Sequence, residues 1–274
     1  MSPERSEQLE LIRGLALDAG KILLESMGSV GQVSRKKATE LVTDLDGRVE
    51  KMLLEGLRRH FPDDNVLAEE TGNHEGSSGR TWYVDPLDGT TNYAHGLPTF
   101  AVSIACGTAS QLELACVYAP YLDEMYLAQH GGGAVLERPA HQTSRVLSVT
   151  QTASIGEALL ATGFPYLRDG NVDLITGLVA DFLKAKCHGV RRAGSAAVDL
   201  AHVAAGKLDG YWEMSLRPWD SAAGTLIVRE AGGVVTGFDG ISQTMHFESV
   251  LAASPILHAA MLPVIQSALQ KVNP

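Results

Sequence analysis

Two aspartates three residues apart, Asp85 and Asp88, lie in the stretch Trp82-Tyr83-Val84-Asp85-Pro86-Leu87-Asp88-Gly89-Thr90-Thr91-Asn92. Carboxylates this close repel each other unless a cation sits between them. A hard divalent ion such as Mg²⁺ wants an all-oxygen shell, which backbone carbonyls can complete. Gly89-Thr90-Thr91 follows at once with a bare backbone and two hydroxyls. That suits a phosphate oxygen, the more so where a helix begins. Metal carboxylates joined to a phosphate cradle point to metal-assisted phosphoryl chemistry. Taken alone, an Asp-Pro-x-Asp-Gly string is more often a surface turn. The apolar lead-in and similarly placed acids elsewhere favour the chemical reading.

The elements that would position these groups can be read around them. Trp82, Tyr83 and Val84 are aromatic or β-branched and predict a buried strand. Pro86 is expected to end it, because proline cannot donate to a ladder. Val66-Leu67-Ala68 predicts a second short strand, running into Glu69-Glu70, so acids again stand at a strand end. The polar segment 71–80 reads as a loop able to flex over a site. Upstream, residues from about 4 to 26 predict an amphipathic helix, with Leu11, Leu15 and Ile22 on its face, Ile12 and Leu23 beside them, and Gly28 and Gly31 as the stop. Arg35-Lys36-Lys37 reads mainly as a solvated turn. Thr43 or Asp44 would cap a second helix that presents Val49, Met52, Leu53 and Leu57, with Asp46 in its opening.

Downstream, residues 101–107, 112–119, 124–130 and 134–137 predict a meander of short strands. Residues 138–156 form a polar stretch at which a boundary is expected, dividing the chain into 1–150 and 151–274 within one catalytic unit. Residues 159–163 are a short apolar run and residues 172–186 a helix. Gly194-Ser195 precedes an Ala-rich helix through Val198, Leu200 and Val203; the pair is either an anion nest or a close-packing device. Residues 209–214 predict a strand with Glu213 near its end. Pro218-Trp219-Asp220 opens a helix that Gly232-Gly233 closes, and Asp220 could serve only as its N-cap. A strand near Val250-Leu251-Ala252 and a helix from about Pro255 to Leu269 complete the chain.

The chain has 274 residues, 45% of them hydrophobic and 20% charged, as in a soluble globular protein. Its 22 basic and 32 acidic residues give a net charge of −10. That disfavours nucleic acid or an anionic membrane as the main partner, and it means an anionic phosphate would need a cation to mediate its binding. Cys106, Cys116 and Cys187 are odd in number and form no CxxC pair, which suggests free thiols in a reducing compartment. The opening residues lack an apolar signal core, and no apolar run could span a bilayer, so a cytoplasmic protein is expected.

Asp46, Glu69, Asp85, Asp88 and Asp220 each stand at the edge of a predicted element, but spacing alone does not bring them together. The pattern as a whole resembles the inositol monophosphatase family of metal-dependent, lithium-sensitive phosphatases. Two stretches match its signatures: residues 82–92, and Trp219-Asp220-Ser221-Ala222-Ala223-Gly224. Glu69-Glu70-Thr71, Leu41-Val42-Thr43-Asp44-Leu45-Asp46 and Gly194-Ser195-Ala196-Ala197 match in order and spacing, and the likeness runs from about residue 5 to 255. Thr162-Gly163-Phe164-Pro165 and Arg191-Arg192 look closest to the bacterial members. Ala68 stands where a Gly is common, and the loop at Arg35-Lys36-Lys37 is about one residue shorter than the family pattern.

The resemblance implies a layered α-β-α-β-α sandwich and a homodimer. Glu69, Asp85, Asp88, Asp220 and the carbonyl of Leu87 would hold Mg²⁺. Asp46 and Thr90, with Glu69, would orient and help deprotonate the attacking water, and the Gly89 and Thr90 backbone would bind the phosphate. Asp88 and Asp220 would also touch substrate, while Gly194, Ser195, Ala196 and Glu213 would face the alcohol part and Arg191 would reach it. The implied substrate is a small phosphate monoester, foremost myo-inositol 1-phosphate. Histidinol phosphate, fructose 1,6-bisphosphate and a 3′-phosphonucleotide are the alternatives. A protein that keeps this fold but acts by binding another macromolecule is the reading of a different class.

Overall fold

The structure, a computed structural model of the chain, describes residues 3–27, 33–37, 40–165, 172–242 and 249–272. Its helices are α1 (Pro3–Ser26), α2 (Asp44–His60), α3 (Thr90–Ala94), α4 (Val172–Lys184), α5 (Ala196–Ala204), α6 (Pro218–Glu230) and α7 (Pro255–Val272). The strands are β1 (Val33–Lys37), β2 (Glu40–Thr43), β3 (Asn65–Ala68), β4 (Gly72–His74), β5 (Arg80–Asp88), β6 (Ala101–Thr108), β7 (Gln111–Ala119), β8 (Glu124–Gln129), β9 (Gly133–Arg138), β10 (Thr143–Val146), β11 (Leu159–Thr162), β12 (Gly189–Arg191), β13 (Gly210–Met214), β14 (Val234–Thr236) and β15 (Ser249–Ala253). β1 and β2 form a hairpin, eight strands form one sheet in the order β10-β9-β8-β7-β6-β5-β3-β4, and five form a second in the order β12-β11-β13-β15-β14.

Alternation along the strands fixes the layers, because successive side chains leave opposite faces of a sheet. In β5, Trp82 and Val84 pack with Ile12 and Leu23 of α1 and Val49 and Leu53 of α2. Tyr83, between them, faces the other way, into a cluster with Val198 and Leu200 of α5 and Ala222 and Leu226 of α6. Tyr211 of β13 and Val250 and Ala252 of β15 close that same cluster from the second sheet. Trp212, Leu251 and Ala253 face outward against Leu178 and Phe182 of α4 and Leu257 and Met261 of α7. The result is an α/β sandwich of five layers, α-β-α-β-α, with α5 and α6 as the middle layer.

The elements differ from the sequence reading in instructive places. β5 does not end at Pro86. It runs on to Asp88 across a bulge, in which Asp85 pairs with Ser103 and Asp88 with Ala101, so the strand carries one residue more than β6. A bulge is where a strand can hold a proline. The segment 71–80 is not a free loop: β4 pairs with β3, and Ser78 Oγ donates to Asp64 Oδ1 at 2.6 Å. In α1 the buried line is Ile12, Ala16, Ala19 and Leu23, with Leu11, Leu15 and Ile22 half-buried beside it. Arg35-Lys36-Lys37 lies on β1 rather than in a turn. Its side chains, with Gly28 and Gly31, fall outside the described residues.

Candidate active site

A cleft opens where strand ends of both sheets meet the N-termini of the two middle helices. Its wall takes Glu69 from the end of β3, and Asp85, Leu87 and Asp88 from the bulged end of β5. Gly89 and Thr90 come from the turn into α3, Gly194, Ser195 and Ala196 from the start of α5, Glu213 from β13 and Asp220 from α6. Residues as distant in sequence as Glu69 and Asp220 thus share one wall through topology alone.

Local hydrogen bonds aim each group. Asp85 Oδ1 accepts the Leu87 N–H at 2.9 Å, and Thr90 Oγ1 donates to the Leu87 carbonyl at 3.0 Å, so the turn after the bulge is braced from both sides. Gly89 stands at φ 92°, where a Cβ would lie 2.9 Å from Thr99 O. Only glycine takes that turn without strain. Asp88 Oδ2 accepts from Ser195 Oγ at 2.6 Å and from the Ala197 N–H at 2.7 Å. Ser195 also caps α5 by accepting from the Val198 N–H at 3.3 Å. The N-terminus of α5 is therefore docked on a site carboxylate. Asp220 is not an N-cap: it is the third residue of α6, and its Oδ2 accepts the Arg217 N–H at 2.7 Å. This is the acid half of a capping box, and it fixes the orientation of the side chain.

Burial and mutual repulsion disfavour the charged forms of the acids in the cleft. Burial pushes the Glu69 carboxyl up to about 8 and that of Asp88 up to about 6. Burial and then repulsion from the neighbouring acids carry Asp85 and Asp220 well above the ordinary range. Hydrogen bonds from Ser195 and the α5 amides pull Asp88 partly back. Burial likewise brings Glu213 up to about 7, against a bond from the Tyr211 hydroxyl. Six acids line the cleft (Glu69, Asp85, Asp88, Asp199, Glu213 and Asp220) against one cation among its described residues, Arg192. Like charges gathered in this way suit a hard divalent ion, which reverses each of these shifts. Among the described residues no three ligand-type side chains stand together at metal-binding distance.

Asp46 does not line the cleft. It is buried in the first turn of α2, and its charge adds to the upward push on Glu69. Arg191 is exposed at the end of β12 and is not among the residues of the cleft wall; the adjacent Arg192, also exposed, is, its guanidinium 5.5 Å from the Phe164 ring centre. The sequence reading also missed Gly163, Phe164, Asp199 and Leu216 on the wall, and it missed Glu50. The buried Glu50 carboxylate accepts from the backbone of Glu70 at 2.8 Å and Thr71 at 2.9 Å, which holds the Glu69 segment in place. Its signal was an acid one helical turn after Asp46, on the face that Val49 and Leu53 bury.

Comparisons with known proteins show what the whole chain is similar to. The model of the inositol monophosphatase family matches residues 4–270. The chain is 38% identical over 268 residues to an inositol-1-monophosphatase of Mesorhizobium japonicum, covering 97% of this chain and 98% of the relative. It is 40% identical over 258 residues to the Nus factor SuhB of Pseudomonas aeruginosa, covering 92% and 93%. The crystal structure of the extragenic suppressor protein SuhB of Bartonella henselae superposes with a TM-score of 0.86 at 34% identity, covering 94% of this chain and 97% of that one.

Proposed function

The chain belongs to the inositol monophosphatase family, and from that premise we propose that it is a Mg²⁺-dependent phosphatase of small phosphate monoesters, with myo-inositol 1-phosphate as the leading substrate. The observation that carries this reading is the convergence of Glu69, Asp85, Asp88 and Asp220 with the Leu87 carbonyl beside the Gly89-Thr90 turn. In this reading those four carboxylates and that carbonyl hold the metal. When bound, Mg²⁺ lowers the pKa of water and neutralises charge on the phosphate and the leaving alkoxide.

The protein's own groups do the rest. Gly89 and Thr90 offer backbone N–H groups to the phosphate. The Thr90 hydroxyl, whose proton goes to the Leu87 carbonyl, is left as an acceptor that can orient the attacking water. Glu69 takes the water's proton, and buried Asp46 adds its negative charge to the acidic surroundings of Glu69. Gly194, Ser195 and Ala196 border the alcohol part, and Glu213 accepts hydrogen bonds from its hydroxyls. Histidinol phosphate, fructose 1,6-bisphosphate and a 3′-phosphonucleotide are the competing substrates. The reading includes a homodimer in the cytoplasm; among the described residues no helix is long and apolar enough to cross a membrane.

The test is phosphate release from these four substrates with Mg²⁺, with EDTA, and with Mg²⁺ plus Li⁺. Mg²⁺-dependent, Li⁺-sensitive release led by inositol 1-phosphate supports the reading. Another leading substrate keeps the mechanism and changes the specificity. A second reading has one specific observation in its favour: the Pseudomonas relative is named a Nus factor rather than a phosphatase. On that reading the fold serves a macromolecular partner, and no substrate of the panel would turn over.

A further inference from the structure

Asp199 lies inside the cleft but has no part in the chemistry above. It is three residues after Ala196 and four after Ser195 on α5, so all three share one helix face. That face lines the cleft, while Val198, Leu200 and Ala201 turn into the middle core. Asp199 is 2% exposed, yet among the described residues its carboxyl takes part in no hydrogen bond or ion pair. Its charged neighbours are Glu213 and Asp88, which repel it, and Arg192, which attracts it. With no partner from the protein, such a carboxyl on the cleft wall can accept a hydrogen bond from a ligand in the cleft.

We infer that Asp199 is a specificity residue: it and Glu213 are paired acceptors for separate hydroxyl groups on the alcohol part of the substrate. The inference rests on the phosphatase reading and narrows it to polyol phosphates. A polyol brings several hydroxyl donors into one small volume, and two carboxyls facing that volume can each take one. A substrate with an apolar leaving group leaves both unpaired, and a site built to bond a hydroxyl discriminates strongly against a ligand that lacks it. Gly163 keeps this region open, since a Cβ there would collide with the Glu213 carboxyl.

The experiment compares wild type, Asp199→Asn and Asp199→Leu on the best polyol phosphate of the panel and on phenyl phosphate, whose leaving group has no hydroxyl beyond the scissile oxygen. Selectivity is the kcat/KM for the polyol phosphate divided by that for phenyl phosphate. It should fall about tenfold in Asp199→Leu and about threefold in Asp199→Asn, whose amide oxygen still accepts. Thermal midpoints read in parallel should hold, because neither variant removes a hydrogen bond of the frame. Unchanged selectivity in both variants overturns the inference. So does an equal loss on both substrates with a lowered midpoint, which is the mark of a structural role. If Asp199→Leu does not fold, Asp199→Asn alone decides by the same two readouts. Failure of the phosphatase reading is distinguishable: it appears in the wild type, as no turnover of any polyol phosphate, and overturns both.

Discussion

At the scale of single residues, hydrogen bonds from the frame hold Asp85, Asp88, Glu213 and Asp220 in place. Asp88 is the clearest case, since the same oxygen takes the Ser195 hydroxyl and the Ala197 amide. Asp88→Asn keeps the shape but loses a charge, and its amide nitrogen would face donors. We expect Mg²⁺-dependent turnover to fall by about a thousandfold or more, the order of a lost electrostatic contact at a reacting group, with an unchanged circular dichroism spectrum. Near-normal rates would remove Asp88 from the mechanism. Ser195→Ala tests the frame rather than the ligand. It deletes an N-cap worth about 1 kcal/mol together with one bond to Asp88. Chemical denaturation should therefore show a loss of that order, accompanied by a weaker Mg²⁺ dependence, whereas a cap alone would leave the metal titration where it was.

At the scale of elements, the position of the site depends on how closely α5 and α6 approach, because Ser195 and Asp220 lie at their N-termini. Gly224 of α6 sets that approach: a Cβ there would lie 2.5 Å from the Leu200 Cβ of α5. Gly224→Val should cost about 3 kcal/mol, the upper range for overpacking a core, and lower kcat with it. A Cβ at Gly14 of α1 would meet nothing within 4 Å, so Gly14→Ala should instead stabilise by about 0.5–1 kcal/mol; midpoints in urea separate the two. The same elements show what a sequence can and cannot disclose. α2 was legible because burial repeats along it, and β6 and β7 because they are nearly continuous buried runs. β4 was not, since Gly72-Asn73-His74 has no strand character and pairs only because β3 offers an edge. The bulge in β5 hid behind a proline that, in an isolated peptide, would end the strand. Arg191 and Arg192 are adjacent and both exposed, and the sequence could not tell that only Arg192, just past the end of β12, borders the cleft. Asp199 was overlooked because an acid in a helix's first turn already has an ordinary explanation.

At the scale of the whole molecule, two groups of acids pull stability in opposite directions with pH. Glu124 of β8 is buried, which disfavours its charge. Bonds from His202, Lys207 and Tyr126 outweigh that and hold its carboxyl well below the usual carboxylate range. Arg138 adds an ion pair at 2.8 Å, and Lys207 and His202 tie the large sheet to the α5 layer. A lowered carboxyl contributes stability above its unfolded pKa, and that contribution is lost as the pH falls below about 4.5. The cleft acids do the reverse. With Glu69 near 8, Glu213 near 7 and Asp88 near 6, the fold favours their protonated forms, so their contribution is present at low pH and lost as the pH rises through those values. Without metal, the thermal midpoint should therefore peak near pH 5 and decline towards pH 8. Mg²⁺ requires the deprotonated carboxylates, so its stabilising effect should grow over the same interval. Melting curves from pH 3 to 9, with EDTA and with Mg²⁺, test both limbs at once. Glu124→Gln should flatten the acid limb and leave the neutral limb alone, whereas Asp88→Asn should shrink the Mg²⁺-dependent gap at pH 8. If that gap does not widen with pH, the cleft acids are not the metal's ligands, and the assignment of chemistry to this cleft falls with them.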